Sequence, residues 1–298
     1  MPDDQKMQEP LPSQRLDRRG LFRTAGLGAG ALALGAVATG LTVGAHEAEA
    51  SAVPDADILN FALNLEYLEA EFYLRAVNGT GLDASEVTGV GNQGSVTGGY
   101  QVQFSTPDIQ QYAQEIAQDE HAHVLFLRAA LADAAVAEPT IDLVNSFTNA
   151  AIAAGLITSG ETFDPFANEE NFLLGAFIFE DVGVTAYHGA APLIKSRAYL
   201  RAAAGILGTE AYHASEIRLL ILQKGLAQAA NAISAARGAL GGGKDQGPMR
   251  GGVANIVPAD KNSLVFARTT DEVKNIVYLG GAANNNGFFP NLLNGNIS

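Results

Sequence analysis

Glu120-His121-Ala122-His123 sets a carboxylate and an imidazole three residues apart inside a long stretch of helical pattern. Residues at that spacing share a helix face, so Glu120 and His123 point the same way. His121 is turned about 100° from Glu120 and is expected to take no part. Farther along, Glu210-Ala211-Tyr212-His213 repeats the arrangement. A helical carboxylate–imidazole pair used twice is the donor set of a two-metal site in a four-helix bundle, which two other helices complete with one Glu each.

Those two helices can be placed. One is expected from Asp55 or Asp57 to Val77, ahead of Asn78-Gly79, and offers Glu66. The other opens at Asn168-Glu169-Glu170, runs to about Ala190 and offers Glu180. Thr106-Pro107-Asp108 reads as a helix start, with a capping Thr and Pro in the first position, and predicts a helix to about Ala137. Ser196 caps a fourth helix that ends at Lys224-Gly225. Each of the four glutamates lies about twelve to fourteen residues from a helix end, so at roughly 1.5 Å per residue their heights agree to within about a turn. The expected class is therefore all-α, a four-helix bundle.

Between these helices the chain reads less regularly. Gly79 to Ser105 is a long polar insertion, in which the alternation of Tyr100 to Phe104 suggests a short hairpin. Thr140 to Ile157 reads as a shorter helix within a long crossover, and Leu226 to Leu240 as a fifth, Ala-rich helix. Gly241 to Gly252 reads as a linker, and the mixed tail beyond it holds one short helix after Thr269-Thr270.

Near the expected centre, Glu69 follows Glu66 by three residues and is a second candidate ligand on the same helix, whereas Glu71 points away. Tyr73 lies two turns along the Glu66 stripe, where it could bond a ligand, relay an electron in catalysis, or simply fill the core. Asp119 and Asp181 adjoin the donors; either is placed to orient a histidine, with a solvated position the plainer expectation. His188 is two turns past Glu180 and is expected to be structural or exposed. Ile116, Leu127, Phe177, Phe179 and Leu207 would surround the donors, and carboxylates buried among them without a cation or a proton would be costly. An oxygen-rich, nitrogen-poor donor set suits two ions of iron or manganese.

The composition narrows the partners. Of the 298 residues 47 % are hydrophobic, enough for a sizeable core, and the net charge of −14 argues against nucleic acid. The absence of cysteine removes disulfides, thiolate metal sites and thiol catalysis. Arg18-Arg19-Gly20-Leu21-Phe22-Arg23, the uncharged run Thr24 to Ala45 and Ala48-Glu49-Ala50 lay out an export leader over residues 1–50. The paired arginines resemble a twin-arginine signal, which carries folded proteins across a membrane into the periplasm or the medium. Retention of the run as an anchor is the competing reading, disfavoured by its glycines. The bundle then covers 51–240, and a linker with a C-terminal extension covers 241–298.

Leu59 to Tyr73 (LNFALNLEYLEAEFY), Asp164 to Leu174 (DPFANEENFLL), and Phe266 to Leu279 with Gly287-Phe288-Phe289-Pro290 together resemble the desiccation-related proteins with a ferritin-like domain, known from plants and many bacteria. The resemblance spans Ser51 to Ser298. It implies a ferritin-like bundle with a family-specific C-terminal extension, and no settled activity. The leading expectation is an exported dinuclear metal protein acting on peroxide, reactive oxygen or another small molecule during drying or oxidative stress. It would have no lasting membrane insertion after leader cleavage, and assembly into a homo-oligomer is left open. The alternative is a non-catalytic desiccation protectant with a structural or vestigial metal site. An iron-storing cage fits less well, given the long insertion, the tail and export.

Overall fold

Asp55–Asn78 forms α1 in a computed structural model that describes residues 53–281 and 286–298. The expected leader lies outside the described residues. Asp55 and Asp57 sit in the first turn of α1, where the helix dipole favours negative charge. Gly79 ends it with φ 79°, a left-handed conformation, donating its N–H to the carbonyl of Arg75. Helix α1 is buried on most sides, so its polar residues need partners. Asn60 accepts from the N–H of Val136 at 3.0 Å, and Asn64 accepts from the N–H of Asn294 at 2.9 Å, which ties the C-terminal tail to the bundle.

Helix α2 spans Pro107–Leu131. It stops short of the expected Ala137, because Ala132 turns to φ 49° and the next residues leave the helix. Backbone bonds to Val90 then hold Ala135 and Ala137 at 2.9 Å, and Glu138 accepts from Gly94 at 2.8 Å. The polar insertion thus runs beside the chain that leaves α2. Its strand β1 (Val96–Thr97) pairs in parallel with β2 (Ile141–Asp142). Among the described residues, 100–104, expected to form a hairpin, pair with no strand; Val102 instead donates to the carbonyl of Ala76 at the end of α1. Thr106 does not cap α2 with its side chain either. Its hydroxyl and N–H both reach Glu169 at 2.8 Å.

The crossover contains α3 (Asn145–Ala153), narrower than the predicted 140–157, and leads to α4 (Glu169–Ala190) and α5 (Arg197–Gln223). Asn168 and Ser196 cap these two helices through their side chains. Helix α1 packs against α2 and α4 against α5 as antiparallel pairs, and the two pairs close into an all-α bundle. Phe72, Phe147, Phe172, Phe179 and Phe288 interlock in its core, the last brought in by the C-terminal extension at 5.0 Å from the Phe179 ring.

Helix α6 (Ala227–Leu240) and α7 (Thr270–Val277) lie against α4, and Thr269 with Glu272 forms a capping box on α7. The stretch expected as a linker is anchored. Asp245 receives Arg237 at 2.6 Å and Arg268 at 2.8 Å, Gln246 accepts from Arg218, and β3 (Met249–Arg250) pairs with β4 (Val253–Ala254) in a small hairpin. Among the described residues, no helix is long and apolar enough to cross a membrane.

Candidate metal centre

Glu66 on α1, Glu120 and His123 on α2, Glu180 on α4, and Glu210 and His213 on α5 are all buried and converge between the helices. They form two groups of donors. Glu66, Glu120, His123 and Glu210 make one, and Glu120, Glu180 and His213 the other, the donor atoms of each lying within 4.8 Å of one another. Glu120 belongs to both. His123 Nδ1 stands 3.2 Å from Glu66 Oε2, 3.4 Å from Glu120 Oε2 and 3.7 Å from Glu210 Oε1. His213 Nδ1 stands 3.0 Å from Glu120 Oε1 and 3.4 Å from Glu180 Oε2.

Whether these residues fit metal ions can be judged from what they leave unmade. Among the described residues, Glu120 Oε1, Glu180 Oε2, both carboxylate oxygens of Glu210 and His213 Nδ1 are buried without a hydrogen bond. Buried polar atoms are ordinarily satisfied, and leaving several unmet in one place is expensive. Neighbouring donors around a cation at roughly 2.1 Å stand about 3 Å apart, close to the spacing seen here. The donors fit cations.

Proton affinities report the same frustration. Burial lifts Glu66 to about 7 against the pull of His123. Burial, then the charges of Glu120, Glu69 and Glu66, push Glu210 well above the carboxylate range. Glu120 goes the other way: burial opposes ionisation, but the adjacent imidazoles of His123 and His213 hold it below the usual range. Burial also opposes charge on the imidazoles, yet Glu66 and Glu120 raise His123 to about 10, and Glu180 and Glu120 raise His213 to about 12. Without cations, protons on the histidines and acids balance the charge; divalent ions would displace them.

Around the donors, Asp119 Oδ2 lies 3.1 Å from His213 Nε2 and orients that ring, rather than standing free in solvent. Asp181 is neither solvated nor on a histidine. It is buried, paired with Arg218 at 2.7 Å and Arg237 at 2.5 Å, and these arginines stack on Phe177. Phe177 therefore faces that cluster, and Leu207 is only half-buried. His121 bonds Glu86 at 3.0 Å and His188 the carbonyl of Phe266 at 3.2 Å. Glu71 turns to Arg75 at 2.5 Å.

Glu69 is buried near the centre but belongs to neither donor group. Burial and then Glu120 and Glu180 raise its proton affinity well above normal, and it borders an apolar cavity of about 20 Å³ beside Ile178, Val182 and Ile276. Tyr73 reaches across the bundle and donates to Glu180. Tyr187, which sequence reasoning missed, donates to Glu66. Its signal was available: Tyr187 follows Glu180 by the interval at which Tyr73 follows Glu66. Each helix thus supplies the phenol that fixes the other's glutamate, as antiparallel α1 and α4 allow.

Residues 54–223 match the family described as Ferritin-like domain. The chain is 33 % identical over 247 residues to a desiccation-related protein of Craterostigma plantagineum, an alignment covering 76 % of this chain and 78 % of that one. It is 28 % identical over 270 residues to a ferritin-like catalase of Nesocodon mauritianus, covering 82 % of this chain and 85 % of the relative. No solved structure matches it significantly.

Proposed function

This chain belongs to the ferritin-like domain family, and on that premise we propose that it is a dinuclear iron or manganese protein that disproportionates peroxide outside the cytoplasm. One observation carries the reading: a buried cluster of carboxylate and imidazole donors, several of whose atoms lack a hydrogen bond among the described residues, in which Glu120 serves both halves. Glu66, Glu120, His123 and Glu210 would hold one ion, and Glu120, Glu180 and His213 the other. Two such ions would supply the two-electron redox chemistry by which two peroxides become one dioxygen and two waters.

The protein's own part is positioning and exclusion. Tyr73 and Tyr187 each hold one oxygen of a glutamate, so the other is directed at the centre. Asp119 fixes the tautomer of His213. Buried Ile116, Leu127 and Phe179 keep bulk water out. The similarity to a ferritin-like catalase supports the choice of peroxide. The twin-arginine pattern supports export, which would allow the metal to be loaded before crossing. The test is oxygen evolution from peroxide by the purified, metal-replete protein. Activity that disappears with Glu120→Ala supports the reading, and inactivity of a protein carrying two ions refutes it.

A second reading is favoured by the similarity to a desiccation-related protein: protection during drying with the metal in a structural role. Survival of dried cells carrying Glu120→Ala at the level of the parent would select it.

A further inference from the structure

Next to the Glu66 side of the centre, the bundle leaves a pocket between α1, α2, α4 and α5. Leu65, Leu127, Ala186, Tyr187, Ala203 and Ile206 are among its walls, and every lining side chain is apolar apart from the Tyr187 hydroxyl, which is committed to Glu66. Five of the lining residues, Ala62, Ala186, Ala190, Ala202 and Ala203, have side chains too small to fill it. Phe126 is the exposed residue of the lining and Ala202 is half-buried. Its wall is continuous with the donors: Leu65 precedes Glu66, Leu127 lies one turn past His123, and Tyr187 bonds Glu66.

Size and lining together select an occupant. The free space is about 30 Å³, against the roughly 10–15 Å³ that one water needs, so the pocket admits a molecule of about two or three heavy atoms. An anion such as superoxide would lose its hydration with nothing to replace it. Peroxide would strand two hydroxyl groups at a cost of roughly 1–3 kcal/mol each. Dioxygen loses almost nothing.

We propose that this pocket binds dioxygen and is the path by which it leaves the centre, while peroxide arrives by another way. The exit role rests on the peroxide reading; the binding of an uncharged, apolar diatomic does not.

Xenon, an apolar probe of similar size, tests the pocket in crystals of the full metal-replete protein under gas pressure. An anomalous peak bounded by Leu65, Leu127 and Tyr187 is expected. It should vanish in Ala203→Leu, which fills the pocket, and persist in Ala204→Leu, whose side chain is exposed. Should Ala203→Leu fold poorly, Ala202→Phe, at another position of the lining, provides the same loss. Absence of xenon from the parent protein, or its persistence in both filled variants, overturns the proposal. Peroxide turnover is then measured on the same proteins: a lower maximal rate in the filled variants at unchanged metal content supports the exit role, and an unchanged rate overturns it. Xenon binding without any turnover in the parent would leave the gas site standing and refute the peroxide reading.

Discussion

Gly183 on α4 lies directly against the carboxylate of Glu210 on α5: a β-carbon there would overlap Oε2. Gly183 follows Glu180 by three residues and so faces the centre. In a helix interior glycine is unfavourable by about 1 kcal/mol relative to alanine, so its presence is explained by the room it leaves for Glu210.

Gly183→Ala should therefore separate metal binding from folding. The carboxylate is the flexible end of its side chain and can swing aside, so the variant is expected to stay folded. Its metal content should fall to about half or less, as measured by elemental analysis beside a thermal melt. A variant that keeps the parent's metal content would show that Glu210 is not needed.

The crossed phenols make a paired prediction. Tyr187→Phe frees the bonded oxygen of Glu66, and Tyr73→Phe that of Glu180. Groups that orient ligands typically contribute about 10–100-fold to metal affinity. Metal titration by calorimetry should show a loss in that range for either variant, with the stronger effect on a different ion in each.

Glu138 supplies a pH signature away from the centre. Burial, then the neighbouring Glu71, raise its acid to about 8 from an ordinary 4.5. The folded protein thus keeps a proton that the unfolded chain releases, and the stability this proton confers declines as pH rises from about 4.5 to about 8. Below that window the contribution is complete. Relative to the parent, Glu138→Gln should gain melting temperature between pH 5 and 8, read by thermal denaturation across that range.

The anchored C-terminal segment yields a stability prediction. Asp245, held down to about 2 by Arg237 against its burial, accepts from Arg237 and Arg268. Asp245→Ala would leave both arginines short of a partner in the interior. Breaking a buried pair from one side costs about 3–5 kcal/mol, and denaturant titration should show a loss of that order.

The sequence made the donors legible because their spacing is local. Three residues along a helix set Glu120 with His123 and Glu210 with His213, whatever the rest of the chain does. Helix ends marked by Gly79, Ser196 and Thr269 were equally readable, since caps act through neighbouring residues. What escaped depends on distant partners. Nothing near Val96 announces Ile141, and nothing near Asn294 announces Asn64. Thr106 had the right chemistry for a cap but found Glu169 instead. Asp181 looked like a surface acid until Arg218 and Arg237 arrived from α5 and α6. Tyr187 was readable from its interval after Glu180 once Tyr73 had been noticed.

Element-specific anomalous diffraction, at the iron and manganese edges, from crystals of the protein purified with its native metal tests the two-ion centre most directly. Two peaks are predicted, one amid Glu66, Glu120, His123 and Glu210, the other amid Glu120, Glu180 and His213, both touching Glu120. A fully folded protein with no peak among these residues, or with metal bound elsewhere, would contradict the account.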